Sequence, residues 1–292
     1  MSRTPIQTSI HANGIQFAAY EWPAEADTGQ PPVVLLHATS FHARCWNQVV
    51  AHLADRRCLA FDARGHGHTD KPPLPYSWQQ FGQDVAAMVT AWGVQGAVGV
   101  GHSMGGNALV RAAAALPGVF RALLLVDPVI MPPQFYHEHP AEPEKHFTAA
   151  RRNHWSSPHA MFERFKDRPP FNTWDPQVLH DYCQYGLLRA PDGHGYVLAC
   201  PPLVEAQTYT TSTQAQNRDI YDLIPRIEAP VRVLRAGQFA TGPGDFAGSP
   251  TNPDLARCFQ RGQDVPLPDN THFIPMESPA LVAEHIRDLA RF

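Results

Sequence analysis

The residues with the clearest chemical potential are Gly101-His102-Ser103-Met104-Gly105, with Gly99 before them and Gly106 after. A buried apolar run, Ala97–Val100, precedes this group, and an Ala-rich helical pattern, Met104–Leu116, follows it. A serine between a strand and a helix must sit on a sharp, strained turn, and the flanking glycines let the two backbones pass. Such a turn projects the hydroxyl outward. It also places the Met104 N–H at a helix start, where a developing oxyanion can be bound. A phosphate-binding glycine loop is the competing reading, with Asp127 as its acidic residue at the next strand end. It fails because Gly99 and Gly101 begin a G-x-G-x-x-G whose third glycine position is Met104.

A serine nucleophile needs a base. Asp269-Asn270-Thr271-His272-Phe273 lies between the last predicted strand and the last predicted helix. A loop at the carboxyl end of a strand is where a histidine can meet the Ser103 turn, so His272 stands out by position among sixteen histidines. The turn after Val33–Leu36 reads His37-Ala38-Thr39-Ser40, and its Thr39 N–H is the candidate second oxyanion donor. His42, His66, His68, His137 and His139 fit no familiar metal spacing, so no metal site is expected.

Those residues need a scaffold, and the pattern supplies one. Thr4–His11 and Ile15–Glu21 read as a hairpin across Asn13-Gly14, both of which tolerate positive φ. Buried strands are predicted at Val33–Leu36, Cys58–Phe61, Ala97–Val100, Ala122–Val126, Val231–Leu234 and Asp264–Leu267. Helices are predicted at Cys45–Leu53, Phe81–Trp92, Met104–Leu116, near Pro253–Phe259 and at Pro279–Phe292. This alternation implies a mostly parallel sheet with helices on both faces. It stops at Asp127-Pro128. The segment 130–217 has many prolines, seven histidines and twelve aromatics, and reads as a mainly helical insertion. Its aromatics include Trp155, Phe162, Phe165, Phe171, Trp174, Tyr182 and Tyr185, several of which are expected to line a pocket.

Composition narrows the function. The 292 residues are 43% hydrophobic, 17% charged and 10% aromatic, which excludes global disorder. A net charge of −4 with no large basic face argues against nucleic acid as a partner. No apolar run approaches the ~20 residues of a membrane helix, and the first 30 residues hold no signal-peptide core. Cys45, Cys58, Cys183, Cys200 and Cys258 are scattered and odd in number, so reduced thiols in a cytoplasm are expected.

Taken together, the sequence resembles the α/β-hydrolase family, in the group with a cap inserted after the sixth strand. The matching pieces are His37-Ala38-Thr39, Asp62-Ala63-Arg64-Gly65-His66-Gly67, Gly101–Gly105 and Thr271-His272-Phe273, in the family's order. Ala38 departs from the family's usual glycine but keeps its N–H. The resemblance implies a core domain of residues 1–129 and 218–292, a cap of residues 130–217, and no cofactor. It makes Asp62–Gly67 a structural turn, with Arg64 in a packing ion pair.

The family's usual acid follows the seventh strand in a Gly-x-x-Asp, but Ala236-Gly237-Gln238-Phe239-Ala240-Thr241 holds none. Two candidates follow. Asp127 ends the sixth strand, where some esterases and haloalkane dehalogenases carry their acid. Asp245 lies in a Gly/Pro-rich loop that must fold back. Strand anchoring orients an imidazole more rigidly, which favours Asp127 and leaves Asp245 as the alternative. The expected activity is hydrolysis of a carboxylic ester or lactone by Ser103, His272 and the acid. Carbon–carbon bond hydrolysis of a diketone-type substrate uses the same residues. A non-catalytic ligand-binding protein on this scaffold is the rival of another class. The substrate is expected to be small, neutral and moderately apolar, and the protein a monomer or homodimer.

Overall fold

The computed structural model describes residues 3–26, 28–241 and 245–292. Eight strands form the central sheet: β1 (Ile6–Ala12), β2 (Ile15–Trp22), β3 (Val33–Leu36), β4 (Cys58–Phe61), β5 (Ala97–His102), β6 (Phe120–Val126), β7 (Val231–Ala236) and β8 (Gly262–Leu267). Their spatial order is β1-β2-β4-β3-β5-β6-β7-β8. β2 pairs antiparallel with β1 and β4, and all other pairs are parallel. Asn13 and Gly14 both adopt positive φ, 44° and 80°, as a two-residue hairpin turn requires.

The helices are α1 (Asn47–Ala51), α2 (Trp78–Ala91), α3 (Met104–Ala115), α4 (Pro158–Phe165), α5 (Pro176–Tyr185), α6 (Pro202–Thr211), α7 (Ile220–Leu223), α8 (Ile274–Glu277) and α9 (Pro279–Leu289). The helix predicted to begin at Phe81 starts three residues earlier. Ser77 Oγ accepts from the Gln80 N–H while Gln80 Oε1 accepts from the Ser77 N–H, which closes a capping box. Two predicted helices are shorter. Residues 43–46 form a tight 3-10 turn before α1, and only Leu255–Cys258 winds near Pro253.

The continuous apolar runs of the central strands are explained by burial on both faces. Val34, Leu36, Leu123 and Leu125 join one core cluster, with Met88 of α2 and Leu109 of α3. Val33, Leu35, Leu124 and Val126 join the other, with Trp46, Leu53 and Ile286 of α9. Successive residues point to opposite faces, so each strand feeds both cores.

Between β6 and β7 the chain forms α4, α5 and α6 and a separate antiparallel sheet of His154–Trp155, Tyr196–Leu198 and Leu187–Arg189. A third apolar cluster holds Trp155, Met161, Trp174 and Tyr182 against Phe41 and Phe273 of the main body. The insertion is also tied down through α6: Gln207 Nε2 donates to the Tyr76 carbonyl at 2.8 Å, and Trp78 Nε1 donates to that of Thr208 at 3.3 Å. Among the described residues no helix is long and apolar enough to cross a membrane.

Candidate active site

Ser103 occupies the one residue between β5 and α3, with φ 56° and ψ −118°. This backbone region is strained for a residue with a Cβ, by roughly 1–3 kcal/mol. Four backbone hydrogen bonds hold it, one of them from the Asn107 N–H to the Ser103 carbonyl at 3.3 Å. The Ser103 N–H donates to the Val126 carbonyl at 3.1 Å, and the Ser103 carbonyl accepts from Gly106 at 3.0 Å and from Val129 at 3.1 Å. The tight crossing explains two glycines. A Cβ on Gly101 would lie 2.5 Å from the Gly105 oxygen, and one on Gly105 would lie 2.4 Å from the Leu36 oxygen.

His272 lies in the loop from β8 to α8. Its Nε2 is 3.0 Å from Ser103 Oγ and its Nδ1 is 2.7 Å from Asp127 Oδ2. All three side chains are buried. Asp127 follows β6 directly, at φ 43°. Its second oxygen accepts from the Ser249 hydroxyl, from Thr251 Oγ1 at 3.2 Å and from the Ala236 N–H at 3.2 Å. The geometry therefore brings Ser103, His272 and Asp127 into one chain of contacts, 145 residues apart at the His272–Asp127 link. Asp245 is elsewhere. Its carboxylate accepts from the Thr241 N–H and hydroxyl and from the Ala247 and Gly248 N–H groups of its own loop. The bonds from Thr241 hold that carboxyl below the usual range.

Thr39 borders the same cavity as Ser103 and His272, and Met104 opens α3, where its N–H precedes the intrahelical ladder. The turn carrying Thr39 is clamped by two histidines that had no assigned role in the sequence. His37 Nε2 accepts from the Ala63 N–H at 2.8 Å, and His66 Nε2 accepts from the Ser40 N–H at 3.1 Å. Both can accept because burial lowers their pKa, for His66 to about 3. Asp62 completes the clamp: its carboxylate accepts from the Ala43 N–H at 2.8 Å, the His68 N–H at 2.9 Å and the Tyr20 hydroxyl at 3.0 Å. A Cβ on Gly67 would fall 2.0 Å from that carboxylate. Arg64 instead forms a bidentate pair with Asp84, at 2.7 and 2.9 Å, both side chains buried.

A cavity of 610 Å³ opens onto Ser103 and His272. Its aromatic walls are Trp78, Phe135, Phe147, Tyr209, Phe239 and Phe246. Three of the twelve aromatics of residues 130–217, Phe135, Phe147 and Tyr209, line it, as expected of several, while none of the seven named from the sequence does. Five of those seven, Trp155, Phe165, Phe171, Trp174 and Tyr182, pack on one another in the third apolar cluster, against Phe41 and Phe273. Phe162 packs against that cluster and Tyr185 lies under the Arg44 guanidinium. The charges on the cavity wall are internally engaged: Lys145 pairs with Glu142, and Asp245 is bound by its loop. Among the described residues no group of three or more His, Cys, Asp or Glu side chains is placed to hold a metal ion.

Comparison with known proteins agrees with this architecture. A solved structure of E-2-(acetamidomethylene)succinate hydrolase superposes with a TM-score of 0.77 at 20% identity, covering 99% of this chain and all of that one. The bifunctional esterase/perhydrolase DCH of Acinetobacter calcoaceticus is 24% identical over 90% of this chain and 91% of its own. The non-heme chloroperoxidase of Streptomyces lividans is 39% identical over 101 residues, which is 34% of this chain and 37% of that relative's length. Matches of this local kind span about a third of each relative, between 29% and 39% of its length. The family model described as "Alpha/beta hydrolase family" matches residues 33–285. The chain belongs to the alpha/beta hydrolase family.

Proposed function

We propose that the protein is a serine hydrolase that cleaves a carboxylic ester or lactone through an acyl-enzyme intermediate. The observation that carries this reading is the contact chain from Ser103 Oγ to His272 at 3.0 Å and on to Asp127 at 2.7 Å. In this mechanism Ser103 Oγ attacks the substrate carbonyl carbon while His272 Nε2 takes its proton. Asp127 holds the imidazole in the Nδ1–H tautomer and stabilises its protonated form. The Thr39 and Met104 N–H groups bind the oxyanion. His272 then protonates the leaving alcohol, and a water activated by His272 releases the acid and restores Ser103.

Residues 130–217 act in this reading as a cap over the site. The aromatic walls and the internally engaged charges of the cavity favour a neutral, moderately apolar substrate. The relative named an esterase/perhydrolase supports ester chemistry. All five cysteines are free, which fits a reducing cytoplasm, and the protein is read as a monomer or homodimer.

The test is labelling with a fluorophosphonate, together with a screen of p-nitrophenyl esters, lactones and a diketone. Wild type should label once and hydrolyse esters or lactones. A folded Ser103→Ala protein should do neither, with kcat reduced by roughly 10⁴–10⁶. Substantial ester turnover by that variant would rule out the covalent route. Turnover of the diketone alone would move the assignment to carbon–carbon hydrolysis.

A further inference from the structure

His102, the residue immediately before the nucleophile, has no part in the mechanism above. We propose that it is a positioning residue: its ring N–H holds the main chain of His272, so that the imidazole stays in line between Asp127 and Ser103. The proposal rests on the reading of Ser103 and His272 as nucleophile and base.

His102 is the last residue of β5 and is completely buried. Its Nε2 lies 2.8 Å from the His272 carbonyl oxygen. A carbonyl only accepts, so Nε2 carries the proton and Nδ1 is a bare lone pair. That Nδ1 has no hydrogen-bond partner. A buried, unpaired acceptor is unfavourable, and an apolar side chain would fill the space without it. The position therefore keeps histidine for its single donated bond.

The consequence is geometric. β5 is paired on both sides, with β3 through Leu36–Gly101 and with β6 through His102–Val126. One rigid strand end thus carries Ser103 and grips the backbone of His272. The two groups that must exchange a proton are referenced to the same support rather than to a long loop. The other anchors of that loop reach α8 or the β7–β8 connection rather than β5, among them Thr271 Oγ1, which donates to Glu277 Oε1 at 2.6 Å. The Thr271 N–H donates to Glu277 Oε2 at 2.9 Å, and the His272 N–H donates to the Phe246 carbonyl at 3.3 Å. The rings of His102 and His272 are 5.0 Å apart, close enough for a charged His102 to oppose protonation of His272. Burial pushes the His102 pKa well below the usual histidine range and keeps it neutral.

His102→Met and His102→Gln separate the donated bond from packing, because the two side chains are nearly equal in size and only Gln carries an N–H donor. Two readouts apply: kcat and KM on an ester that wild type hydrolyses, and the low-field proton NMR resonance of the His272 Nδ1–H shared with Asp127. His102→Met should lower kcat about 10–100-fold with KM within about two-fold, since a small displacement of a base costs rate rather than binding. It should also broaden the low-field resonance. His102→Gln should recover kcat to within about three-fold of wild type and keep the resonance. Full kcat in His102→Met, or equal impairment of both variants, overturns the proposal. If His102→Met does not fold, His102→Gln decides alone: near-wild-type kcat with the resonance present upholds it, and a loss of about ten-fold or more overturns it. If wild type neither labels with a fluorophosphonate nor turns over any ester, the hydrolase reading fails. The resonance in the two variants still reports whether His102 holds His272.

Discussion

His272 Nδ1 and Asp127 Oδ2 meet at 2.7 Å, and the other Asp127 oxygen is saturated by Ser249, Thr251 and the Ala236 N–H. The carboxylate cannot rotate without breaking that second set of bonds, so it presents one fixed oxygen to the imidazole. Asp127→Asn would put an amide in its place, and an N–H facing Nδ1 would force the wrong tautomer. The expected loss in kcat is roughly 10³–10⁴-fold, with Asp245→Asn staying within a few-fold of wild type. The reverse ranking in steady-state kinetics would make Asp245 the acid and Asp127 a structural carboxylate.

Arg64 offers the opposite kind of prediction, in which stability moves and chemistry does not. Its guanidinium donates twice to Asp84, and Asn13 Nδ2 donates to the same carboxylate at 2.6 Å. Arg64→Met would leave Asp84 buried and uncompensated. Urea denaturation should show a loss of about 3–5 kcal/mol, because breaking one side of a buried pair strands the other charge. The folded fraction should keep its kcat. A variant of normal stability that has lost its activity would place Arg64 in the chemistry.

Two buried histidines, His66 of the Thr39 clamp and His42 beside Tyr182 and Cys45, predict a pH dependence of stability. Burial lowers His42 to about 4 and His66 to about 3, from an unfolded value of 6.5. Between about 6.5 and 4 the unfolded chain therefore binds protons that the folded chain does not. Stability rises with pH across that window and is lost on acidification, by about 1.4 kcal/mol per pH unit for each histidine. Urea melts at pH 7.5 and pH 5 should differ accordingly. In His66→Gln, whose amide oxygen can still accept from the Ser40 N–H, the difference should shrink by one histidine's share. A stability that does not change over this range would mean that these rings are protonated in the folded state.

What could be read in advance depended on how local the constraint is. The Ser103 elbow was legible because a strand, a sharp turn and a helix impose glycine on adjacent residues, as the Cβ distances at Gly101 and Gly105 show. The β1–β2 turn was legible for the same reason, at Asn13-Gly14. Asp127 was harder, because its link to His272 spans 145 residues and no local pattern marks it. The clamp on Thr39 was missed. His37 and His66 lie in two of the motifs that carry the resemblance, but nothing local shows that the fold stacks their turns, with ring centroids 5.3 Å apart. The α2 start carries its own local mark, the capping-box spacing of Ser77 and Gln80.

That several aromatics of residues 130–217 line the cavity was legible, but which ones was not, because one residue type serves both a core and a ligand wall. Trp155 packs edge-on against Phe165 at 5.4 Å within the third apolar cluster, whereas Phe135 of the insertion after β6 faces Phe239 of the β7–β8 connection at 5.8 Å on the cavity wall. Phe135 and Phe239 are also partly exposed, at 41% and 39%, as a wall open to ligand requires. The two classes should separate by mutation. Trp155→Ala should lower stability by about 3–5 kcal/mol through a cavity in the third apolar cluster, with an unchanged preference among substrates. Phe135→Ala and Phe239→Ala should leave stability within about 1 kcal/mol, as partly exposed sites do. Each should lower kcat/KM for a hexanoate or phenylacetate ester by about ten-fold relative to an acetate, since a larger apolar acyl group gains more from an aromatic wall. Chain-length profiles for the three variants beside their urea melts provide the comparison. If Trp155→Ala reshapes the profile and the two phenylalanine variants do not, the substrate enters through the third apolar cluster and the cavity beside Ser103 serves another purpose.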